Sequence, residues 1–333
     1  MATTGNILKR LAGGRTEVLG IDFGTTGIKI VMLRKTGDGS FTVAAAALLP
    51  ALEEDSTFEL PKVFTARHAA IAVSDRAAVI KLLSLPGQHD ESSVSAELIN
   101  EQMGLDSAEY RIGFKVISQS RETRLLTVAL PEGSATVALG PFAAGIPVPV
   151  SLEISGLSAL TAFLHGPAKQ YADGAVGVIE FGAEQTFLAF FNKGDLVLLR
   201  KFDMGSTSVC EKIQQALGVD ADTAWGIMTD GSFDISQPIS EVLDPFLRQL
   251  VISRDFIERR DQCHVSMIYG SSGLTGSAQG VKQFEAVTGV EAVKWDPFAD
   301  FAPAPGAVPE QLQGQGSRFA AAIGAGLAWF EGR

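Results

Sequence analysis

Cysteine is scarce. The 333 residues contain two, Cys210 and Cys263. Two thiols make neither a disulfide framework nor a four-ligand zinc site. The four histidines (His68, His89, His165, His264) are scattered without metal-ligand spacing. Positive charge is in deficit, with Lys+Arg 27 against Asp+Glu 38 and a net charge of -11. That excludes a broad nucleic-acid footprint. No run reaches the roughly 18 uninterrupted apolar residues a membrane span needs. Leu139–Val150 is apolar, but prolines and glycines interrupt it. Met1–Arg15 lacks a long apolar run before a small-residue cleavage site, so no signal peptide is expected. These absences predict a soluble, cytoplasmic chain that reaches a membrane only through a partner.

What is present is apolar and patterned. Hydrophobic residues make up 46% of the chain, and the length suffices for two domains. Residues 18–35 organise the rest. Val18, Leu19, Ile21 and Phe23 read as a strand, Gly24-Thr25-Thr26-Gly27 as a tight turn, and Ile28, Ile30 and Met32 as a second strand. The glycine-rich tip offers backbone N–H groups, two hydroxyls and the following Lys29, a set that can cradle phosphate. Asp22 precedes the turn and would act on a phosphate through Mg²⁺ or its waters. The pattern is neither GxxxxGK[ST] nor GxGxxG. Lys29 reads two ways, as a phosphate ligand or as a solvated strand residue.

A third strand, Ser40–Leu49, completes a meander. Residues 63–73 read as helical or mixed. The order strand (76–86), helix (Glu91–Met103), strand (Ile112–Ser118), strand (Arg124–Leu130) predicts a compact α+β insert over about 70–150. Val148–Ile154 reads as a strand and Ser155–His165 as a helix. Then the opening plan recurs: Ala175–Phe181, Gly182–Gln185, Thr186–Phe191, Asn192–Asp195 and Leu196–Phe202 are again strand, small-residue turn, strand, turn, strand. This internal repeat is the strongest fold-level feature of the chain. It predicts two similar α/β lobes whose hairpin tips face across a cleft. Downstream, Ser206–Leu217 reads as a helix capped by Ser206 or Thr207, with Gly218 beyond its end. Ala221–Met228 is a short helix, and 238–260 a long helix or a pair broken near Pro245. Val265–Tyr269 is a strand leading into a glycine loop, and Phe319–Trp329 a final helix. Trp225 and Trp329 read as packing residues.

Taken together, the ordered motifs resemble the actin-like ATPase superfamily. Within it they are most like the PilM family of type IV pilus assembly proteins, related to FtsA and the GspL cytoplasmic domain. Gly20-Ile21-Asp22-Phe23-Gly24-Thr25-Thr26-Gly27-Ile28-Lys29 matches the first phosphate motif. Ile179-Glu180-Phe181-Gly182-Ala183-Glu184-Gln185-Thr186 matches the second. Tyr269-Gly270-Ser271-Ser272-Gly273 matches the adenosine-binding loop. The resemblance implies a duplicated, actin-like (ribonuclease H-like) two-lobe fold with a small inserted α+β subdomain. The expected divisions are a flexible tail at 1–17, a first lobe at 18–165 and a second lobe at 170–333.

The resemblance also implies a site for ATP and Mg²⁺. Asp22 and Glu180 would orient the waters of Mg²⁺, the two hairpin turns would clamp phosphates, and Gly270–Gly273 would admit adenosine. Gly205 stands before the next helix. Three departures bear on that site: Glu180 replaces a common Asp, Met204-Gly205 replaces Gly-Gly, and serines occupy 271 and 272. Met204 would crowd a nucleotide, so weak or absent hydrolysis is expected. The implied role is a scaffold. It would hold the cytoplasmic tail of a PilN-like inner-membrane protein in a groove near the insert and link it to the assembly ATPase. The superfamily also implies alternatives: an active ATPase, a sugar kinase or a self-associating filament. A kinase needs a carboxylate base at a substrate hydroxyl, and no segment reads that way.

Overall fold

The protein is described by a computed structural model over residues 16–52, 58–90, 92–106, 108–119, 122–142, 145–230, 235–276 and 278–332. Residues 1–15 of the expected tail lie outside the described residues, as does Glu91 at the expected start of the first helix.

Two five-stranded sheets share one plan. In the first, β1 (Glu17–Gly24), β2 (Gly27–Lys35) and β3 (Phe41–Leu49) form the antiparallel meander. β4 (His68–Val73) joins β1 in parallel and β8 (Val148–Ile154) joins β4, giving the order β3-β2-β1-β4-β8. In the second, β9 (Ala175–Phe181), β10 (Thr186–Asn192) and β11 (Asp195–Phe202) repeat the meander. β12 (Val265–Ser271) and β13 (Ala292–Lys294) extend it in parallel, giving β11-β10-β9-β12-β13. The insert is a third sheet, with β5 (Val79–Pro86), β6 (Tyr110–Gln119) and β7 (Glu122–Pro131) in the order β5-β7-β6. Its helix α1 (Ala96–Met103) covers one face through Ile99 and Met103, which pack on Leu125 and Ala129.

Further helices are α2 (Glu132–Leu139), α3 (Ser155–His165), α4 (Ser206–Leu217), α5 (Ala221–Asp230), α6 (Ser236–Asp261), α7 (Ala278–Thr288) and α8 (Ala320–Phe330). The central core joins both lobes. Phe163 and Ala159 of α3, and Ile323 and Leu327 of α8, pack with Val18 and Leu33 from the first sheet and Val176 and Phe191 from the second. α3 and α8 approach so closely that a Cβ on Gly324 would lie 1.6 Å from the Ser158 carbonyl oxygen. α8 packs on β1 and β4, so the end of the chain returns to the first sheet. A preceding segment runs along β3: Ala304 N–H donates to Val43 O (2.9 Å) and Ala46 N–H to Ala307 O (2.8 Å).

Several local expectations are corrected. The stretch read as helical or mixed contains β4, whose residues Ala69 to Ala72 are fully buried. Small side chains there admit helices on the sheet face, a packing demand that overrides the weak strand preference of alanine. α2 was not expected. α1 begins at Ala96 because the Ser95 hydroxyl accepts from Leu98 N–H at 3.2 Å. The N-cap of α4 is Gly205 and makes no side-chain capping bond. α6 is one continuous helix of 26 residues with Pro245 inside it.

Candidate functional site

The two hairpins meet across one cleft of about 460 Å³. Asp22, at the end of β1, and Glu180, at the end of β9, both line it and are both buried. The equivalence follows from the repeat: each acid stands two residues before a glycine at its hairpin tip, Asp22 before Gly24 and Glu180 before Gly182. Lys29 projects from β2, where it pairs in register with Asp22. Its Nζ lies 3.8 Å from Asp22 Oδ2 and 3.5 Å from Thr26 Oγ1. The lysine is buried in the cleft and is not a solvated strand residue.

Burial dominates the electrostatics. It raises the pKa of Asp22, against the opposing effects of Lys29 and the Ser155 hydroxyl, which donates to Asp22 Oδ1 at 2.6 Å. Burial and the neighbouring Asp22 push Glu180 up to about 8, while Lys29 and Ser272 oppose the rise. Burial also lowers the pKa of Lys29. Two desolvated carboxylates therefore share one buried ammonium. A hard cation is the natural partner for such a pair. Among the described residues no group of three or more His, Cys, Asp or Glu is placed to hold a metal ion. Any cation here would complete its shell with water and ligand oxygens.

Gly24, Thr25 and Thr26 line the cleft from the first tip, and Gly182, Ala183 and Gln185 from the second. Ser272 and Gly273 line it from the loop after β12. The other named residues stand behind this surface. Glu184 turns to Arg76, 3.3 Å away. Thr186 donates to Met204 O at 2.8 Å, and Ser271 to Ser317 O at 3.2 Å. Gly27, Gly205 and Gly270 are set by close packing: an added Cβ would lie 2.7 Å from Leu49 O, 2.4 Å from Ala183 O and 2.6 Å from Thr275 Cβ. Met204 does not crowd the cleft. Its sulfur sits 3.4 Å from Thr186 Oγ1, and the side chain packs against the second-lobe core.

The sequence reading missed Ser155, Ser74, Arg318 and Trp225, which also line the cleft. No local motif marks the first three, because sheet topology brings them in from distant elements. Trp225 was assigned to packing, and it does pack on the second-lobe core while lining the cleft. The second hairpin also grips the root of the insert. The Gln185 amide accepts from the Ser74 hydroxyl (3.3 Å) and donates to Asp75 O (3.1 Å). Lys201 Nζ donates to Arg76 O (2.8 Å) and Ala78 O (2.9 Å).

A second concavity, of about 500 Å³, is apolar and lies beside the insert. β6 and β7 contribute Phe114, Val116, Leu126 and Val128. α3 contributes Leu157 and Leu164, β10 contributes Phe191 and β11 contributes Leu196. The insert and both lobes thus build this groove together. Lys115 of β6 pairs with Glu331 beyond α8 (3.8 Å), and Glu331 also meets His165 Nε2 at 2.5 Å.

The model of the family described as type IV pilus assembly protein PilM matches residues 157–330. The chain belongs to that family. A PilM-family chain should carry the same architecture throughout, and it does. The structure superposes on a chain of a PilM-PilN type IV pilus biogenesis complex with a TM-score of 0.76 and 21% identity, over 94% of this chain and 98% of that one. It is less similar to a Bacteroides thetaiotaomicron protein with an actin-like ATPase fold (TM-score 0.47, 7% identity, 91% and 96% covered). It is comparably similar to the ethanolamine utilization protein EutJ from Carboxydothermus hydrogenoformans (TM-score 0.47, 15% identity, 93% and 88% covered). No curated protein matches the chain in sequence. This PilM-family chain has a duplicated α/β two-lobe fold with a small inserted subdomain. Among the described residues no helix is long and apolar enough to cross a membrane.

Proposed function

We propose that this chain is a cytoplasmic, actin-like scaffold of type IV pilus or related secretion assembly. It holds the cytoplasmic tail of a PilN-like inner-membrane protein and so sits at the membrane through that partner. The observation that carries the reading is the apolar groove beside the insert in a chain of the PilM family. The similarity to a chain of a PilM-PilN complex supports a PilN-like partner. A groove lined by the edge strand β6, alternate residues of β7 and one face of α3 suits an apolar peptide segment. The test is calorimetric titration with a synthetic peptide of that tail. Saturable binding that disappears in Phe114→Asp and Leu126→Asp supports the reading. Undiminished binding in both variants contradicts it.

The cleft is proposed as a nucleotide site. Thr25, Thr26, Ala183 and Lys29 would hold phosphates, Asp22 and Glu180 would order the waters of Mg²⁺, and Gly273 would face the nucleoside. What favours this is the donor set itself: two buried carboxylates and a buried lysine, left costly by desolvation, are offset by a cation and phosphates. Bound Mg²⁺ would neutralise phosphate charge there. Both hairpin tips would contact the phosphates, so the proposed use of nucleotide is to join the lobes. Calorimetry with ATP and Mg²⁺ tests it: heat of binding at millimolar nucleotide supports the site, and its absence removes the site while leaving the groove reading intact.

A further inference from the structure

The longest helix carries a face that neither the cleft nor the groove uses. One side of α6 is buried, where Leu243, Phe246, Leu250 and Ile257 pack into the second-lobe core. The opposite side is exposed and not uniformly polar. Ile252 and Phe256 are 52% and 49% exposed, and Val287 of the adjacent α7 is 45% exposed. The Arg260 guanidinium lies over the Phe256 ring at 5.1 Å, and the residue is still half exposed. Between α6 and α7 lies a concavity of about 470 Å³, lined by Asp244, Leu247, Arg248, Val251, Ile252 and Val287. Single exposed apolar residues are ordinary, whereas several grouped at one concavity make a patch of the kind that partners cover.

The charges on this face say what covers it. Among the described residues Asp244 and Arg248 take part in no ion pair. The Arg259 side chain is 81% exposed and meets the Asp255 carboxylate only at 3.7 Å. At about 3.6 residues per turn, Asp244, Arg248, Asp255 and Arg259 fall along one flank of the exposed stripe, and Pro245, Ile252 and Phe256 along the other. The charged flank alternates minus, plus, minus, plus. It is neutral as a set, so the net charge of -11 does not forbid contact between copies here. A parallel second helix would bring like charges together. An antiparallel one, turned about Ile252, brings opposite charges together at every step.

We propose that this face of α6 is a docking surface for a second copy of the chain, with the two α6 helices antiparallel across a two-fold axis at Ile252. Arg248 then pairs with Asp255 of the other copy, and Asp244 with Arg259, once on each side of the axis. The two Ile252 side chains meet, and each Phe256 lies against Pro245 and Ile252 opposite. The concavity receives the other copy's Arg259: the aliphatic stem covers Leu247, Val251 and Val287, and the guanidinium reaches Asp244. Exposed ion pairs add little strength, so they set the register while the apolar residues supply the affinity. The face from Asp244 to Arg260 is about 24 Å long at about 1.5 Å per residue. That is short for a permanent dimer, so the pair is reversible.

The test is sedimentation equilibrium of the full chain from about 5 to about 500 µM, which should show a monomer–dimer equilibrium. Asp244→Arg and Arg259→Asp should each weaken the dimer by about tenfold or more, since each sets like charges together twice. The double variant Asp244→Arg with Arg259→Asp should restore it, which a damaged fold would not do. Crosslinking reads the register. Cys210 is buried, and Cys263→Ser removes the other thiol. In that background Ile252→Cys should form a disulfide-linked dimer under mild oxidation, because the two positions meet at the axis. Phe256→Cys should not, because its two copies stand about 12 Å apart along the helices, beyond the span of a disulfide. A chain that stays monomeric throughout, a dimer that ignores both single charge reversals, or equal crosslinking through Phe256→Cys overturns the proposal.

Discussion

Replacing Glu180 by glutamine should stabilise the nucleotide-free protein at neutral and alkaline pH. The carboxyl group is buried beside Asp22, and its pKa is raised from an ordinary 4.5 to about 8. The sign follows from linkage. Between those two values the folded state binds more protons than the unfolded state, so stability falls as pH rises through that window. Each pH unit in the window costs about 1.4 kcal/mol. By pH 7 the accumulated loss is about 3 kcal/mol, and above pH 8 it approaches about 5 kcal/mol, a ceiling before local relaxation. Against a typical total of about 5–15 kcal/mol, that is readily measured. Glutamine keeps the shape and has no proton to lose. Urea unfolding at pH 5, 7 and 9 without nucleotide is the assay. Wild type and Glu180→Gln should differ by under about 1 kcal/mol at pH 5 and diverge steadily above it, with the slope m unchanged. Curves that stay parallel from pH 5 to 9 would refute the burial argument. Asp22→Asn offers a cross-check. Removing the neighbouring charge should lower the folded pKa of Glu180, so the fall still begins near pH 4.5 but is smaller and levels off at a lower pH.

Three further outcomes follow from the same structure. Binding of Mg²⁺ and nucleotide at pH 7 should release close to one proton, since the cation favours ionised Glu180; calorimetry in buffers of different ionisation enthalpy reads this directly, and release should vanish in Glu180→Gln. Gly324→Ala should destabilise by about 3 kcal/mol, because the new methyl would meet the Ser158 carbonyl where α8 crosses α3; thermal unfolding measures it, and a change within the noise would contradict the close packing. Lys201→Met should cost about 2 kcal/mol through two lost charge-assisted bonds to the backbone at Arg76 and Ala78. It should also speed proteolytic nicking near residues 74–78, and an unchanged cleavage pattern would argue against a gripped root.

How much was legible in the sequence varies by element for physical reasons. Ala175–Phe181 was read to the residue because an apolar run there is bounded by small-residue turns. The matching meander at 18–49 was legible for the same reason. β4 was not: its core, Ala69-Ala70-Ile71-Ala72, is a buried run of small residues, and periodicity cannot tell such a strand from a helix. α2 was missed because Gly133, Ser134 and Thr136 weaken the helical signal. In the cleft, the residues near Asp22 and Glu180 announce themselves through glycine-rich turns. Ser155, Arg318 and Ser74 do not, since they arrive by tertiary folding. The crowding expected of Met204 failed because the sequence shows its size and not its direction, which is into the core.

The groove is the central claim, and site-directed crosslinking addresses it most directly. The probe is the PilN-like tail peptide with a photoreactive phenylalanine at one of its apolar positions, added to the intact chain. The account predicts crosslinks to the β6–β7 face and α3, around Phe114, Leu126 and Leu157, and competition by unlabelled peptide. Crosslinks confined to α6 or to the outer face of the second lobe, with that groove untouched, would contradict it.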